Sequence, residues 1–564
     1  MATRWQTMAL PLLACSLLLA ACAAPAGAPA GQLSQAQPQY GGVFQYAAQS
    51  PPDGLYWFDM ATIGGRGRPM AASQIWDGLI NWELITPETD YQAEAKYAGA
   101  LAESWTQPDA RTFVFNLRRG VKWHDGAEFT SKDVIWSLAR WGDRGSDRRL
   151  RTFVENMDTA EALGTHQVRV VMKQADPDRL AGLARPDHKI LPAHIAEAAG
   201  NPTGDALRVL YEKNVVGTGP FKLRTFDRQR HLETERFEEY WARRPYLDGT
   251  RTVFGLERSG MQAAFIAREL DFVSLDDRVQ FETVKAVAAE AKKLTYVTGH
   301  NWGLQFNVQR KPFDDIRVRR AVHLAIDRQK LLDAVTFGEG MIAGPPPILP
   351  TLTKAGWGIS QEDYMKLPGW RQPKEQDLAE AKRLLAEAGY PNGFKTAIYY
   401  RAGISHPTAQ SEPVASQLKA IGIDAEVRRT EPAIYADQIY VRKDFEIIND
   451  GMTSGYAMAA EAYSKWHSRG ASNYSQINDP DLDRLIEAAL GEADAKKRNE
   501  LFTQMQRIIV EKSYFAGIVT LAQYVAMQPW VYDFFPSWSV SPELLDASRL
   551  WLEVAAMPEG RRKP

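Results

Sequence analysis

Lys395-Thr396-Ala397-Ile398-Tyr399-Tyr400, then Ala415 to Ala420, then Ile423-Asp424-Ala425-Glu426-Val427 is the stretch that decides the fold. The first and last runs alternate apolar and polar residues with the period of a strand, and the middle run reads as a helix. A strand, a helix and a strand in that order imply a right-handed crossover and two parallel neighbours in one sheet. Immediately upstream, Leu378, Ala381, Leu384, Leu385 and Ala388 form one helical stripe from Asp377 to Ala388, closed by Gly389 and Pro391. Downstream, Phe445-Glu446-Ile447-Ile448 predicts a further short strand, and Leu482 to Ile509 predicts two more helices. Farther upstream, Val318, Ala321, Val322, Ala325, Ile326, Leu331 and Leu332 repeat every 3.6 residues, predicting helix across Arg317 to Val335.

Toward the N-terminus the pattern changes to sheet. Arg111 to Leu117 alternates, and Arg119-Gly120 turns into Val121-Lys122-Trp123, patterned as a second strand. Thr130 or Ser131 then caps a helix carrying Val134, Ile135 and Leu138, with Asp133 in its first turn. Gly41 to Tyr46 alternates and marks the start of the folded part. The chain has 564 residues, more than the roughly 250–300 that one core supports, so two large lobes are expected. No internal repeat is visible.

The first residues are of another kind. Arg4 precedes an apolar run from Met8 to Ala21, a signal-peptide pattern. Leu19-Ala20-Ala21-Cys22 resembles a bacterial lipobox, which makes residues 1–21 a lipoprotein signal peptide and Cys22 the lipidated first residue of the mature chain. A plain signal peptide with an incidental cysteine is the alternative. Cys15, the only other cysteine, falls in the removed segment, so no disulfide, thiol catalysis or cysteine-bound metal is expected in the mature body. Residues 22–39, rich in Ala, Pro, Gly and Gln, read as a disordered tether to a bacterial membrane.

With 67 basic against 69 acidic residues, a net charge of -2, nothing steers the chain toward nucleic acid. There is no Gly-x-Ser-x-Gly elbow, no His-Glu-x-x-His and no Walker-type loop, so catalysis has no positive support, and no cofactor or metal is expected. Gly64-Gly65-Arg66-Gly67 and Gly217-Thr218-Gly219-Pro220 read as turns, because neither completes a dinucleotide fingerprint and Pro220 removes a donor. His124 reads as a turn or sheet-edge residue, since the histidines show no metal-ligand spacing. The 16 Trp and 21 Tyr are the stronger hint. Several sit near predicted strand ends, where a largely apolar pocket with a few polar groups would form.

Leu101-Ala102-Glu103-Ser104-Trp105, Phe113 to Gly126 and Thr130 to Val134 together resemble the hallmark segment of extracellular solute-binding proteins of family 5, the oligopeptide-, dipeptide- and nickel-binding type. Gly217 to Phe221, Phe306-Asn307 with Pro312 to Ala321 and Ala325 to Arg328, and Ala381 to Tyr390 agree in the same order. The likeness runs from Tyr40 to about Trp538. It implies an α/β, two-lobed, type II periplasmic-binding-protein fold with mixed sheets and a hinge. Lobe one would be residues 40–299, rejoined by 516–564, and lobe two 300–515, with crossings near 299–306 and 515–524.

The resemblance also implies a role: the substrate-binding component of an ABC importer, which captures a solute by lobe closure and hands it to the membrane permease. Its partners would be the solute, the permease subunits and, through Cys22, the membrane of the periplasm or cell surface; the protein would be a monomer. A peptide or peptide-like compound stands first as ligand, beside an opine, an oligosaccharide or a chelated metal. A surface-anchored hydrolase on the same lobes is the rival reading.

In peptide-binding members an Asp after the strand that Phe445 to Met452 resembles pairs with the ligand's α-ammonium. Here that position is Gly455, and Asp450 is the nearest acid. Asp450, Gly451, Thr453, Ser454 and Tyr456 would line the cleft from lobe two, with Trp302 and Asn307 at the crossing and Trp76 and Asp77 from lobe one. Arg401 reads either as a bidentate partner for a ligand carboxylate or as a solvated surface arginine.

Overall fold

The parallel pair expected at 395–427 is present, and it is pinned by two glycines. In this computed structural model, β15 (Phe394–Arg401) and β16 (Ile423–Thr430) run parallel, Phe394 opposite Ile423 and Arg401 opposite Thr430. Gly393 and Gly422 lead into the two strands at φ +75° and +88°; a Cβ on Gly393 would lie 1.8 Å from the Gly422 carbonyl oxygen. No other residue type fits that approach.

The structure describes residues 37–48, 51, 55, 74–82, 97–143, 148–175, 178–185, 188–275, 277–297, 300–336, 338–354, 356–453, 458–534 and 547–562. Residues 37–564 cluster as one unit. Along the chain, β1 (Val43–Ala48) is followed by the pair β2 (Ile80–Trp82) and β3 (Tyr97–Gly99). Next comes a four-stranded antiparallel sheet of β4 (Ala102–Asp109), β5 (Thr112–Leu117), β6 (Met157–Gly164) and β7 (Gln167–Met172), in the order β4-β5-β7-β6. Val121 to Trp123, expected as strand, makes only the single bridge Lys122–Glu128, because the backbone around it serves the His124 turn instead. Thr130 caps the helix Ser131–Trp141 in a capping box that Asp133 completes.

The strands β8 (Phe221–Asp227), β9 (His231–Arg236) and β10 (Gly249–Phe254) join β1 in a sheet ordered β1-β10-β9-β8. Then β11 (Phe272–Leu275) and β12 (Lys292–Val297) flank a strand that arrives from the far end of the sequence. β13 (His300–Phe306) opens the second large sheet, β16-β15-β17-β13-β18, with β17 (Ile447–Thr453) and β18 (Phe515–Gly517); β14 (Met341–Ile342) pairs with β19 (Val519–Thr520). Finally β20 (Ala522–Met527) pairs with both β11 and β12, and β21 (Val531–Tyr532) with β22 (Trp551–Leu552). The chain therefore passes between sheets at 297–300 and again at 520–522.

Arg317 to Val335 is two helices, Ile316–Ala325 and Arg328–Thr336. The break falls at Ile326 (ψ 114°) and Asp327, whose N–H donates to the Gln417 side chain at 2.8 Å; a tertiary bond ends a helix that periodicity alone would continue. The helix expected at 415–420 begins earlier, as Ser405–Leu418, with Pro413 inside it.

The main cores follow the sheets. One gathers Phe113, Phe115, Trp123, Trp141 and Val168 around the first antiparallel sheet. Another packs Leu304, Phe306, Val322, Leu385, Ile398 and Ile447 beneath the five-stranded one.

Candidate functional site

The five-stranded sheet sets where polar groups can be presented. β15 and β17 are parallel, with Ile398 opposite Ile447 and Tyr399 opposite Ile448, and that register continued places Arg401 beside Asp450. Arg401 is the last residue of β15, and Asp450 lies midway along β17 beside it, close to the edge where open α/β sheets bind ligands. β13 runs antiparallel to β17, so His300 to Trp302 enter at the same edge, with Trp302 opposite Gly451.

Asp450 sits in a tyrosine cage. The hydroxyls of Tyr435 and Tyr440 donate to its Oδ2 at 3.3 and 3.2 Å, and the Gly451 N–H donates to Oδ1 at 2.7 Å. Tyr440 also stacks on Tyr474, centroids 4.5 Å apart. Burial first, and then the Asp450 charge, holds both cage hydroxyls well above the usual tyrosine range, while the nearby Arg401 opposes the shift. The tyrosines thus stay protonated and donate. Asp450 has most of its acceptor capacity committed to Tyr435, Tyr440 and Gly451.

On the other face, Trp302 stacks on His406, centroids 4.7 Å apart at 17°. Gly451 permits this: a Cβ there would meet three indole atoms at 3.2–3.3 Å. Next to His406, a cavity of about 500 Å³ opens between two stretches of chain. One side comes from Arg258, Asp277, Arg278, Gln280 and Tyr524, the other from Thr336, Ser405, Thr408 and Arg429 among others. The lining carries the guanidinium groups of Arg258, Arg278 and Arg429 beside the Asp277 carboxylate, while the Thr336, Thr408 and Tyr524 hydroxyls donate to Leu332, Ile404 and Glu339. Arg278 is braced by Glu282 at 2.7 Å and by Glu339, which also accepts from the Tyr524 hydroxyl at 2.7 Å. Arg429 pairs with Glu431 at 3.9 Å on an exposed surface.

The structure gathers some expected residues and disperses others. Arg401, Asp450, Gly451, Trp302 and the backbone of Thr453 share one sheet edge. Asn307 lies past the opposite end of β13, buried, donating to the Lys443 carbonyl at 3.0 Å and accepting from Gln476 at 2.9 Å. Trp76 is in the first core, 3% exposed, its indole donating to the Val216 carbonyl at 2.9 Å. Asp77, 5% exposed, accepts from Trp241 at 2.8 Å and Thr218 at 3.2 Å. Ser454, Tyr456 and Cys22 lie outside the described residues, as does the turn at 64–67. Sequence reasoning missed Tyr435, Tyr440, His406, Arg258, Arg278 and Arg429; only the strand-end position of Arg429 carried a signal. Among the described residues no group of His, Cys, Asp and Glu could hold a metal ion, and no helix is long and apolar enough to cross a membrane.

A cavity walled from two separate stretches, next to two chain crossings and at the carboxyl edge of a mixed sheet, is the architecture of a protein that encloses a small solute. Residues 96–474 match the bacterial extracellular solute-binding proteins, family 5 middle, and the chain belongs to that family, whose members serve ABC importers from outside the inner membrane. The chain is 26% identical to the heme-binding protein A of Haemophilus influenzae, over 94% of this chain and 96% of that protein. It is 26% identical to the dipeptide-binding protein of Escherichia coli, over 83% and 87%. The fold superposes on the ABC transporter-associated periplasmic binding protein DppA of Helicobacter pylori, solved with the peptide STSA, with a TM-score of 0.72 and 23% identity, covering 91% of this chain and 99% of that one. These relatives are binding proteins, and the type II periplasmic-binding-protein fold expected from the sequence is the one observed.

Proposed function

We propose that this protein captures a peptide or peptide-like solute bearing a carboxylate and delivers it, by lobe closure, to the permease of an ABC importer. The observation that carries the reading is the cavity of about 500 Å³ with Arg258, Arg278 and Arg429 in its walls, since guanidinium groups bind carboxylates in a fixed bidentate geometry. Lobe one is residues 40–299 with 516–564, and lobe two is 300–515. The two crossings, at 297–300 and 520–522, are the hinge. A solute touching both walls favours the closed form, because those contacts exist only there.

Gly455 stands where a peptide reader carries its ammonium-pairing Asp, and Asp450 is occupied by Tyr435 and Tyr440. The ligand's carboxylate end therefore dominates recognition over a free amino terminus. Peptide-binding relatives and neighbours support the peptide class. The protein acts without turnover, as a monomer, held at the membrane by acyl chains on Cys22. Fractionation of a Cys22→Ala variant tests the anchor: the protein moves from the membrane to the soluble fraction.

Mass spectrometry of the solute released from natively purified protein tests the ligand. A carboxylate-bearing peptide or conjugate is expected. A solute with no carboxylate, or turnover of any peptide, opine or oligosaccharide in a hydrolase screen, overturns the reading.

A further inference from the structure

Two contacts of the Asp178 side chain reach far beyond its own segment. It stands just before the helix Arg179–Leu183 but gives that helix no side-chain cap. Its Oδ2 instead accepts from the backbone N–H of Ala459 at 2.8 Å, 281 residues away, and its Oδ1 lies 3.4 Å from Nη1 of Arg498, 320 residues away. Ala459 is in the first turn of the helix Met458–Trp466, and Arg498 is on the helix Ala495–Glu511. Asp178 is 8% exposed, and the side chains of the ion pair are 10% and 13% exposed.

A helix N-terminus leaves its first N–H groups without intrahelical partners, and a carboxylate there is favoured by both the hydrogen bond and the helix dipole. Here the carboxylate comes from lobe one and the helix from lobe two. Arg498 is held from the other side by Trp357, its guanidinium carbon 5.5 Å from the ring centroid. The two donors converge on one carboxylate that neither helix's own sequence supplies.

We propose that Asp178 is a closure latch: its carboxylate caps the helix Met458–Trp466 and pairs with Arg498 only when the lobes are together, so it stabilises the closed form independently of the solute contacts. The proposal rests on the two-lobe reading above. Separation exchanges both contacts for water, and a nearly buried charged hydrogen bond is worth enough to move the closed-to-open ratio by roughly tenfold.

The test uses full-length protein, natively purified with its own solute and then stripped of it. Spin labels go on two introduced cysteines, Val209→Cys and Val441→Cys, at positions 40% and 73% exposed in the two lobes. Wild type is expected to give a short inter-label distance when loaded and a long one when stripped. In the loaded protein, Asp178→Ala raises the ratio of long to short distance by roughly tenfold, Arg498→Gln by less, and the double variant by less than the product of the two. Asp178→Asn keeps an acceptor for Ala459 but loses the charge; it gives an intermediate shift and serves if Asp178→Ala does not fold. A residue holding only its own lobe together would move the melting temperature without moving these distances. Wild-type distance distributions in all variants overturn the latch alone, whereas one unchanging distance in loaded and stripped wild type overturns lobe closure and the latch with it.

Discussion

Residues 74–254 and residues 300–517 both bring a tryptophan and an aspartate close together, yet they use them oppositely. In the first region Trp76 and Asp77 face inward, bonded to groups of the same region: the Val216 carbonyl, the Trp241 indole and the Thr218 hydroxyl. In the second, Trp302 and Asp450 lie within neighbouring strands of the five-stranded sheet, one buried and stacked on His406 and the other caged by tyrosines, with the arginine-lined cavity alongside. Residue type does not separate the two cases. What separates them is that the first pair is closed within a core whereas the second adjoins the cavity, and the contrast predicts stability effects for the first pair and binding effects for the second.

The largest effect expected tests the inward-facing aspartate. Asp77→Ala leaves the Trp241 N–H and the Thr218 hydroxyl without their acceptor, and two such donors at about 1–3 kcal/mol each predict a loss of roughly 4 kcal/mol in urea unfolding. The stabilisation conferred by the released solute stays as in wild type. A variant that unfolds normally but binds tenfold more weakly would break the comparison by putting Asp77 in the cleft.

Second in size is a pH effect in the same region. His124 is clamped between the Gly219 carbonyl, 3.0 Å from Nε2, and the Gly217 N–H, 3.2 Å from Nδ1, and burial lowers its pKa to about 4. An unfolded histidine titrates near 6.5, so between those values the unfolded chain binds a proton that the folded one refuses. The stabilisation is complete above about pH 6.5 and is lost as the pH falls toward 4, by up to about 3 kcal/mol. Urea midpoints at pH 7 and pH 4.5 should therefore converge in His124→Gln relative to wild type. Some slope remains, because burial also depresses His323 in the second region. An unchanged slope would mean that His124 is as accessible to protons as an edge residue.

Third, Arg429→Ala tests the outward-facing side of the comparison. Its pairing with Glu431 is exposed and 3.9 Å long, and such pairs contribute little to stability. Unfolding should change by less than about 0.5 kcal/mol, whereas titration calorimetry with the released solute should give a dissociation constant weaker by about tenfold, or 1.4 kcal/mol. The opposite split would make Arg429 a structural residue and leave Arg258 and Arg278 to hold the carboxylate.

Much of the fold was legible because it is written in short-range periodicity. The pair β15 and β16, the strand β5, and the Thr130 cap with Asp133 three residues on all follow from patterns within a dozen residues. The failures are where distant contacts decide. Gln417 ends a helix at Asp327, and Pro407 and Pro413 hid the first two turns of Ser405–Leu418. The site divides the same way. Arg401 could be placed by its strand end and Asp450 by the family resemblance, but Tyr435 and Tyr440 reach Asp450 from the helical segment 432–441, and Arg258, Arg278 and Arg429 come from three segments that only the tertiary fold joins. Trp76 and Asp77, expected to line the cleft, are buried with partners of their own, because sequence gives residue type before it gives direction.

The smallest expected effect probes the sheet edge itself. Gly451 has no positive φ to protect; its requirement is space, since a Cβ would approach Cη2, Cζ2 and Cζ3 of Trp302 at 3.2–3.3 Å. That is too tight by a few tenths of an ångström, so in Gly451→Ala the indole must give, and its stack on His406 is the contact it would leave. Opposite each other in β13 and β17, the two residues cannot separate without disturbing the ladder, so part of the strain stays in the strand. Overpacking of this size costs about 1 kcal/mol. If Trp302 belongs to the recognition edge, most of that cost should appear as weaker solute binding and little as lowered urea stability, because the ladder hydrogen bonds survive. If it appears in unfolding alone, Trp302 is a core tryptophan like Trp76, and the boundary between the inward and outward pairs must be redrawn one strand closer to the cavity.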